Sequence, residues 1–202
     1  MSFRQFENKI PYKIVANGLL LGLVLLTMTG CFATLPKPSG SDSALLIVSL
    51  EIQRNLVTNK PDTVVITNEQ NGRDYNFSSR DGKYYFFANL PTGTYKMKAA
   101  SLTLRSGGSS TTTGNLTTTF STHSVNSFPF NPELIAATST SLQPGKIAYM
   151  GSIVAEGTAK FFPPGAVEIS NVAFSSTSEE KNSALVHFKT TFKDSPWVSY
   201  LN

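Results

Sequence analysis

Asn89-Leu90-Pro91-Thr92-Gly93-Thr94-Tyr95-Lys96-Met97 is the stretch on which the fold turns. Pro91 presets the backbone for the first bend and Gly93 can adopt the conformation that closes it, so the chain makes a tight corner there. From Thr94 the residues alternate in polarity, and this predicts a strand over residues 94–104. The same grammar runs backwards from the corner. Residues 83–88 (Lys83-Tyr84-Tyr85-Phe86-Phe87-Ala88) read as a strand entered through the Asp81-Gly82 turn. Asn71-Gly72 suits a tight hairpin that pairs a strand over 63–67 with one over 74–79. Residues 44–54 start as an unbroken apolar run and end in alternation, with Val48, Leu50 and Ile52 on one face. That pattern describes a strand covered on both sides at its start and half exposed at its end.

With Phe87 added, the corner resembles the F-x-x-L-P-x-G-x-Y turn of transthyretin-like and carboxypeptidase-regulatory-like modules, a likeness spanning Ala44 to Leu104. The resemblance implies an all-β, antiparallel β-sandwich of immunoglobulin-like or prealbumin-like type, in which the corner, Tyr95 included, is structural. Seven Tyr, fourteen Phe and abundant Ser and Thr agree with an all-β chain.

Beyond the corner, residues 105–124 are of low complexity, with Gly107-Gly108 and two threonine triplets, and are expected to form a mobile loop. A short strand is expected over 133–140. Pro144-Gly145-Lys146 turns into a strand over 147–154, where Gly151 suggests a bulge or a close backbone approach. This Pro-Gly-Lys-Ile segment resembles one found in small sandwich-type bacterial lipoproteins. Phe161-Phe162 belong to an apolar stretch broken by Pro163-Pro164-Gly165, read as buried, and a further strand covers 167–174. Thr177-Ser178-Glu179-Glu180 has the hydroxyl cap and early acids of a helix start. Ala184, Leu185, Phe188 and Phe192 then fall at helical spacing, predicting a short C-terminal helix to about Phe192. Val186, Phe188, Thr190 and Phe192 also alternate, which leaves a final strand open. Trp197 is expected to pack against the domain.

The other end of the chain supplies an address. Arg4, Lys9 and Lys13 precede an apolar run from Ile14 to Met28, shorter than the roughly 20 residues of a spanning helix. The run closes on Met28-Thr29-Gly30-Cys31, which resembles a bacterial lipobox with Met28 in the usual Leu position. The resemblance implies a signal peptide over 1–30, cleavage between Gly30 and Cys31, and acylation of Cys31, the chain's single cysteine. Two or more acyl chains, at about 0.8 kcal/mol per buried methylene, anchor stably. Residues 31–43, with Pro36, Pro38 and Gly40, read as a flexible tether ahead of a sandwich domain over 44–202. Phe32 is not the Asp that retains lipoproteins at the inner membrane under the enterobacterial rule, so the outer membrane is favoured within the cell envelope.

Three of the 17 basic residues and one of the 13 acidic ones fall in the first thirty, leaving 14 and 12. A mature charge of +2 gives no argument for nucleic acid. A lone cysteine excludes an intrachain disulfide. No zincin, nucleophile-elbow or phosphate-loop motif occurs, and no cofactor, metal site or catalytic residue is assigned. The two histidines, His123 and His187, stand in no catalytic motif. The expectation is therefore a non-enzymatic, lipid-anchored binding or scaffolding domain with an envelope protein or glycan as partner. A surface adhesin or carbohydrate-binding module is the alternative, which exposure of Tyr84 or Tyr85 would support and burial of both would count against. A secreted hydrolase ranks third and needs a cleft joining a histidine to a serine and a carboxylate.

Overall fold

A computed structural model describes residues 34–54, 57–113, 116–128, 130–159 and 167–201. Two sheets pack face to face. The first has the strand order β11-β10-β1-β6-β5, with β2 also paired to β1. The second has the order β4-β3-β7-β8, with β9 also paired to β7. The strands are β1 Ala44–Arg54, β2 Val57–Asn59, β3 Thr63–Asn68, β4 Asp74–Asn76, β5 Ser79–Asp81, β6 Tyr84–Leu90, β7 Gly93–Thr113, β8 Leu116–Ser127, β9 Thr140–Leu142, β10 Ile147–Ala159 and β11 Val167–Ser175. Among the described residues, two helices, α1 Pro132–Ala137 and α2 Ser178–Thr191, and a 3-10 turn over Pro196–Leu201 complete the order.

Strand β1 explains its own sequence. Its even positions, Ala44, Leu46, Val48, Leu50 and Ile52, join Tyr85, Phe87, Tyr95, Met97 and Ile153 in the core between the sheets. Its odd positions Leu45 and Ile47 are equally buried. Helix α2 and the 3-10 turn supply that second cover, with Ala184, Phe188, Phe192 and Trp197 buried and the Phe188 and Phe192 rings against Phe86. A strand shielded on both faces needs an apolar residue at every position, hence the unbroken run.

The C-terminal element is the helix and not the alternating strand. Thr177 accepts from the Glu180 amide while the Glu180 carboxylate accepts from the Thr177 amide, a reciprocal cap that satisfies two otherwise orphaned donors.

The architecture departs from the sequence reading in several places. The sandwich is not purely antiparallel, because β1 and β10 run parallel. The strand expected over 74–79 is divided: β4 pairs with β3, after which the chain crosses to the other sheet and β5 pairs with β6. The short strand expected over 133–140 is mostly helix α1. Asn131 caps it by accepting from the Leu134 amide, and Pro132 occupies its first turn, where a missing N–H costs nothing.

Residues 105–124 are expected to be a mobile loop, but 105–113 and 116–124 are paired strand: Ser101↔Ser127 through Thr113↔Leu116 form one antiparallel ribbon. Its register shifts between Ser106 and Ser109, at Gly107-Gly108, which is the place for a bulge. Part of the expected tether is docked as well. The Trp197 indole N–H donates to the Pro36 carbonyl at 2.7 Å, and the Asn89 side chain donates to the Lys37 carbonyl and accepts from the Ser39 amide. The compact unit accordingly begins at Thr34.

The expected bulge in β10 is present. Tyr149 lies opposite Ile47 and Gly151 opposite Val48, so Met150 is the extra residue. Gly151 has φ +144°, and a Cβ there would sit 2.4 Å from the Phe174 ring.

Candidate functional site

A concavity lies on the outer face of the second sheet. It is an open groove of about 500 Å³ whose floor is Thr67, Asp74, Lys96 and Lys98 and whose lip is Pro132, Ile135 and Ala136 of α1. Alternation puts it there. Ile66, Asn68, Tyr95 and Met97 point into the sandwich and are buried, so Thr67, Lys96 and Lys98 emerge on the opposite face. The register Thr67↔Lys96 and Thr67↔Asp74 then lines up three strands across the groove.

Its charges are mutually paired. Lys96 meets Glu69 at 3.3 Å and Lys98 meets Asp74, to which Thr67 also donates. The Lys98 hydrogen bond, with that of Thr67, holds the Asp74 carboxyl below the usual carboxylate range. Ser139 donates to the second oxygen of Glu69 at 3.0 Å. The α1 lip is fixed by Thr138, which is fully buried; its hydroxyl accepts from the Met97 amide and donates to the Ile135 carbonyl. Two cations neutralised by two carboxylates beside an apolar lip suit a ligand that offers both hydrogen bonds and apolar contact, such as a segment of another protein.

A tight corner over Pro91–Gly93 leads into β7. The Tyr95 ring is fully buried and its hydroxyl donates to the Pro91 carbonyl at 2.7 Å. Gly93 is required, since a Cβ there would lie 2.6 Å from the Asn68 side chain. Burial raises the Tyr95 hydroxyl above its ordinary pKa.

His187 is the histidine whose side chain is described. Its Nε2 lies 3.0 Å from Asp81 Oδ2 and 3.4 Å from the Thr191 hydroxyl, which itself donates to Asp81 at 2.9 Å. A hydrolytic relay needs the carboxylate on one ring nitrogen and the nucleophile on the other. Here both groups meet the same nitrogen, so the imidazole cannot pass a proton between them. The cluster clamps α2 to β5, with the ring over Tyr84 at 4.6 Å between centroids. The His123 side chain lies outside the described residues. Glu180, besides closing the helix cap, accepts from Ser175 at 2.6 Å, and these hydrogen bonds keep its pKa low.

Tyr84 and Tyr85 are both buried. Tyr85 donates to the Pro61 carbonyl at 2.7 Å, and burial pushes its hydroxyl up to about 12. Among the described residues, no group of three or more His, Cys, Asp or Glu could hold a metal ion, and no helix is long and apolar enough to cross a membrane. Gly30, Cys31, the signal segment 1–30 and Phe161-Phe162 lie outside the described residues.

Compared with family models, curated proteins and solved structures, the chain matches none. The groove escaped the sequence reading because Thr67, Asp74 and Lys96 meet only through strand register. One local signal was available for its lip, the Asn131-Pro132-Glu133 run, which is a helix start.

Proposed function

We propose that this chain is a lipid-anchored protein of the bacterial cell envelope, and that its folded unit is a non-enzymatic binding or scaffolding domain. The observation that carries the reading is the position of the lone cysteine: Cys31 ends an apolar run, and the compact unit begins three residues later at Thr34. An acyl-cysteine at that place tethers the unit directly to lipid. Phe32 favours the outer membrane. The buried Tyr95–Pro91 corner supports a prealbumin-like or immunoglobulin-like type for the sandwich, with the parallel β1–β10 pair as a departure from it. With Tyr84 and Tyr85 buried, neither ring offers a face to a sugar, and the protein-binding reading is preferred to the carbohydrate-binding one.

Mass spectrometry of the mature amino terminus tests the anchor. An acylated Cys31 is expected, and an unmodified chain that retains Met1 would overturn the reading. Photocrosslinking in native envelopes tests the groove. A photoreactive residue at Ile135 should give a discrete adduct that the same residue at Val186, exposed on α2, does not give. Equal labelling at both positions would remove the groove as the binding surface.

A further inference from the structure

We propose that the outer edge of β8 pairs with β8 of a second copy of this chain, making a two-fold dimer through a continuous sheet. The ribbon is where the fold leaves strand pairing unfinished. Strand β3 follows β7 only as far as Ser101, and Asp62 closes that edge by accepting from the Thr103 amide at 2.7 Å. Beyond this point β7 and β8 continue as a two-stranded extension, down to Thr113↔Leu116. No strand among the described residues pairs with the other edge of β8. A two-stranded ribbon is marginal by itself, and a third strand is what makes it persist.

Natural sheets guard long edges with charge, proline, brevity or bulges. Strands β4 and β5 have three residues each, and β11 carries Glu168. Residues 106–122 contain no Lys, Arg, Asp, Glu or Pro. The ribbon's register shift, at Gly107-Gly108, leaves the tip half, Ser109–Thr113 against Leu116–Phe120, regular.

An uncharged edge favours an identical one, because no repulsion opposes the match and no complementary charge is needed. Centring the two-fold on Thr118 sets Thr117 against Thr119, and Leu116 against Phe120 of the second copy. Each Leu116–Phe120 register pair then occurs twice by symmetry.

The test uses the full-length chain in detergent micelles, with mass and concentration dependence read by sedimentation. The unsubstituted chain should form dimers. Thr118→Lys and Thr118→Glu should each weaken dimerisation by at least about tenfold, since like charges then face each other at the axis. An equimolar mixture of the two variants should recover the dimer. Emission of the buried Trp197, the chain's single tryptophan, reports that the variants remain folded. Oxidation of Thr118→Cys should join the two introduced thiols to each other, because strand partners lie within disulfide reach. An unsubstituted chain that stays monomeric, charge variants that dimerise like it, or a Thr118→Cys chain that forms no disulfide between copies would each overturn the proposal. The first of these outcomes would leave the edge to a different protein or to none.

Discussion

Replacing Gly151 by Ala tests how the bulge seats β10 between β1 and β11. Gly151 lies at φ +144°, and an added methyl would meet Phe174 Cε2 at 2.4 Å, Phe174 Cζ at 2.7 Å and the Ser175 carbonyl oxygen at 2.7 Å. None of these can yield cheaply. Ser175 is held in register opposite Ser152, and Phe174 opposite Ile153. Backbone strain in this region costs about 1–3 kcal/mol for a residue with a side chain. Forcing a methyl into an occupied site costs about 1–3 kcal/mol more. The sum is centred near ~4 kcal/mol, a large share of the roughly 5–15 kcal/mol that holds a domain together. Gly72 is the control, with φ +68° and nothing within 4 Å of the added carbon, so Gly72→Ala carries only the backbone cost of about 1–2 kcal/mol. Urea unfolding followed by Trp197 emission and far-ultraviolet dichroism measures both. The Gly151→Ala midpoint should fall well below that of Gly72→Ala, with the melting temperature lowered by about 8–16 °C. Equal losses in the two variants would refute the argument from occupied space.

Tyr95→Phe removes the hydroxyl that donates to Pro91 and should cost about 1 kcal/mol by the same unfolding assay. No loss would mean that Pro91 and Gly93 set the corner without it. Thr177→Ala should cost about 1 kcal/mol by dissolving the cap of α2. The folded Glu180 carboxyl is held below its unfolded value, so its contribution is present above about pH 4.3 and fades as the pH falls through the lower, folded value. Helical dichroism should weaken in that acid range, and Glu180→Gln should abolish the step; an unchanged acid profile in Glu180→Gln would refute the assignment. Asn89→Gly keeps the left-handed backbone, φ +59°, but loses both side-chain contacts to the segment ahead of β1. Limited proteolysis should then cut residues 34–40 faster, and an unchanged rate would show that Trp197 and Pro36 suffice.

Strands β1, β3, β6 and the start of β7 were legible because each announces itself locally, by alternation or by a run shielded on both faces. Helix α2 was legible for the same kind of reason, since Thr177 and Glu180 satisfy each other within one turn. Residues 105–124 misled because Ser, Thr and Gly lack the apolar pattern that marks a buried strand. Gly107-Gly108, at the register shift of the ribbon, was the available signal. Helix α1 was hidden by brevity, with six residues and none of them buried. Part of the tether escaped because Pro36 carries no sign in sequence that an indole 161 residues away will bind its carbonyl.

The sequence alone determined the candidate lipid address ending at Cys31, the turn positions and the faces of the principal strands, since each depends on neighbours within a few residues. Only the tertiary structure decided the parallel pairing of β1 with β10, the transfer of the chain between sheets after Asn76, and the groove where Thr67, Asp74, Lys96 and Ile135 meet. Those features rest on register between strands far apart in the chain, and register is chosen by the packing of the whole core, which no local stretch encodes.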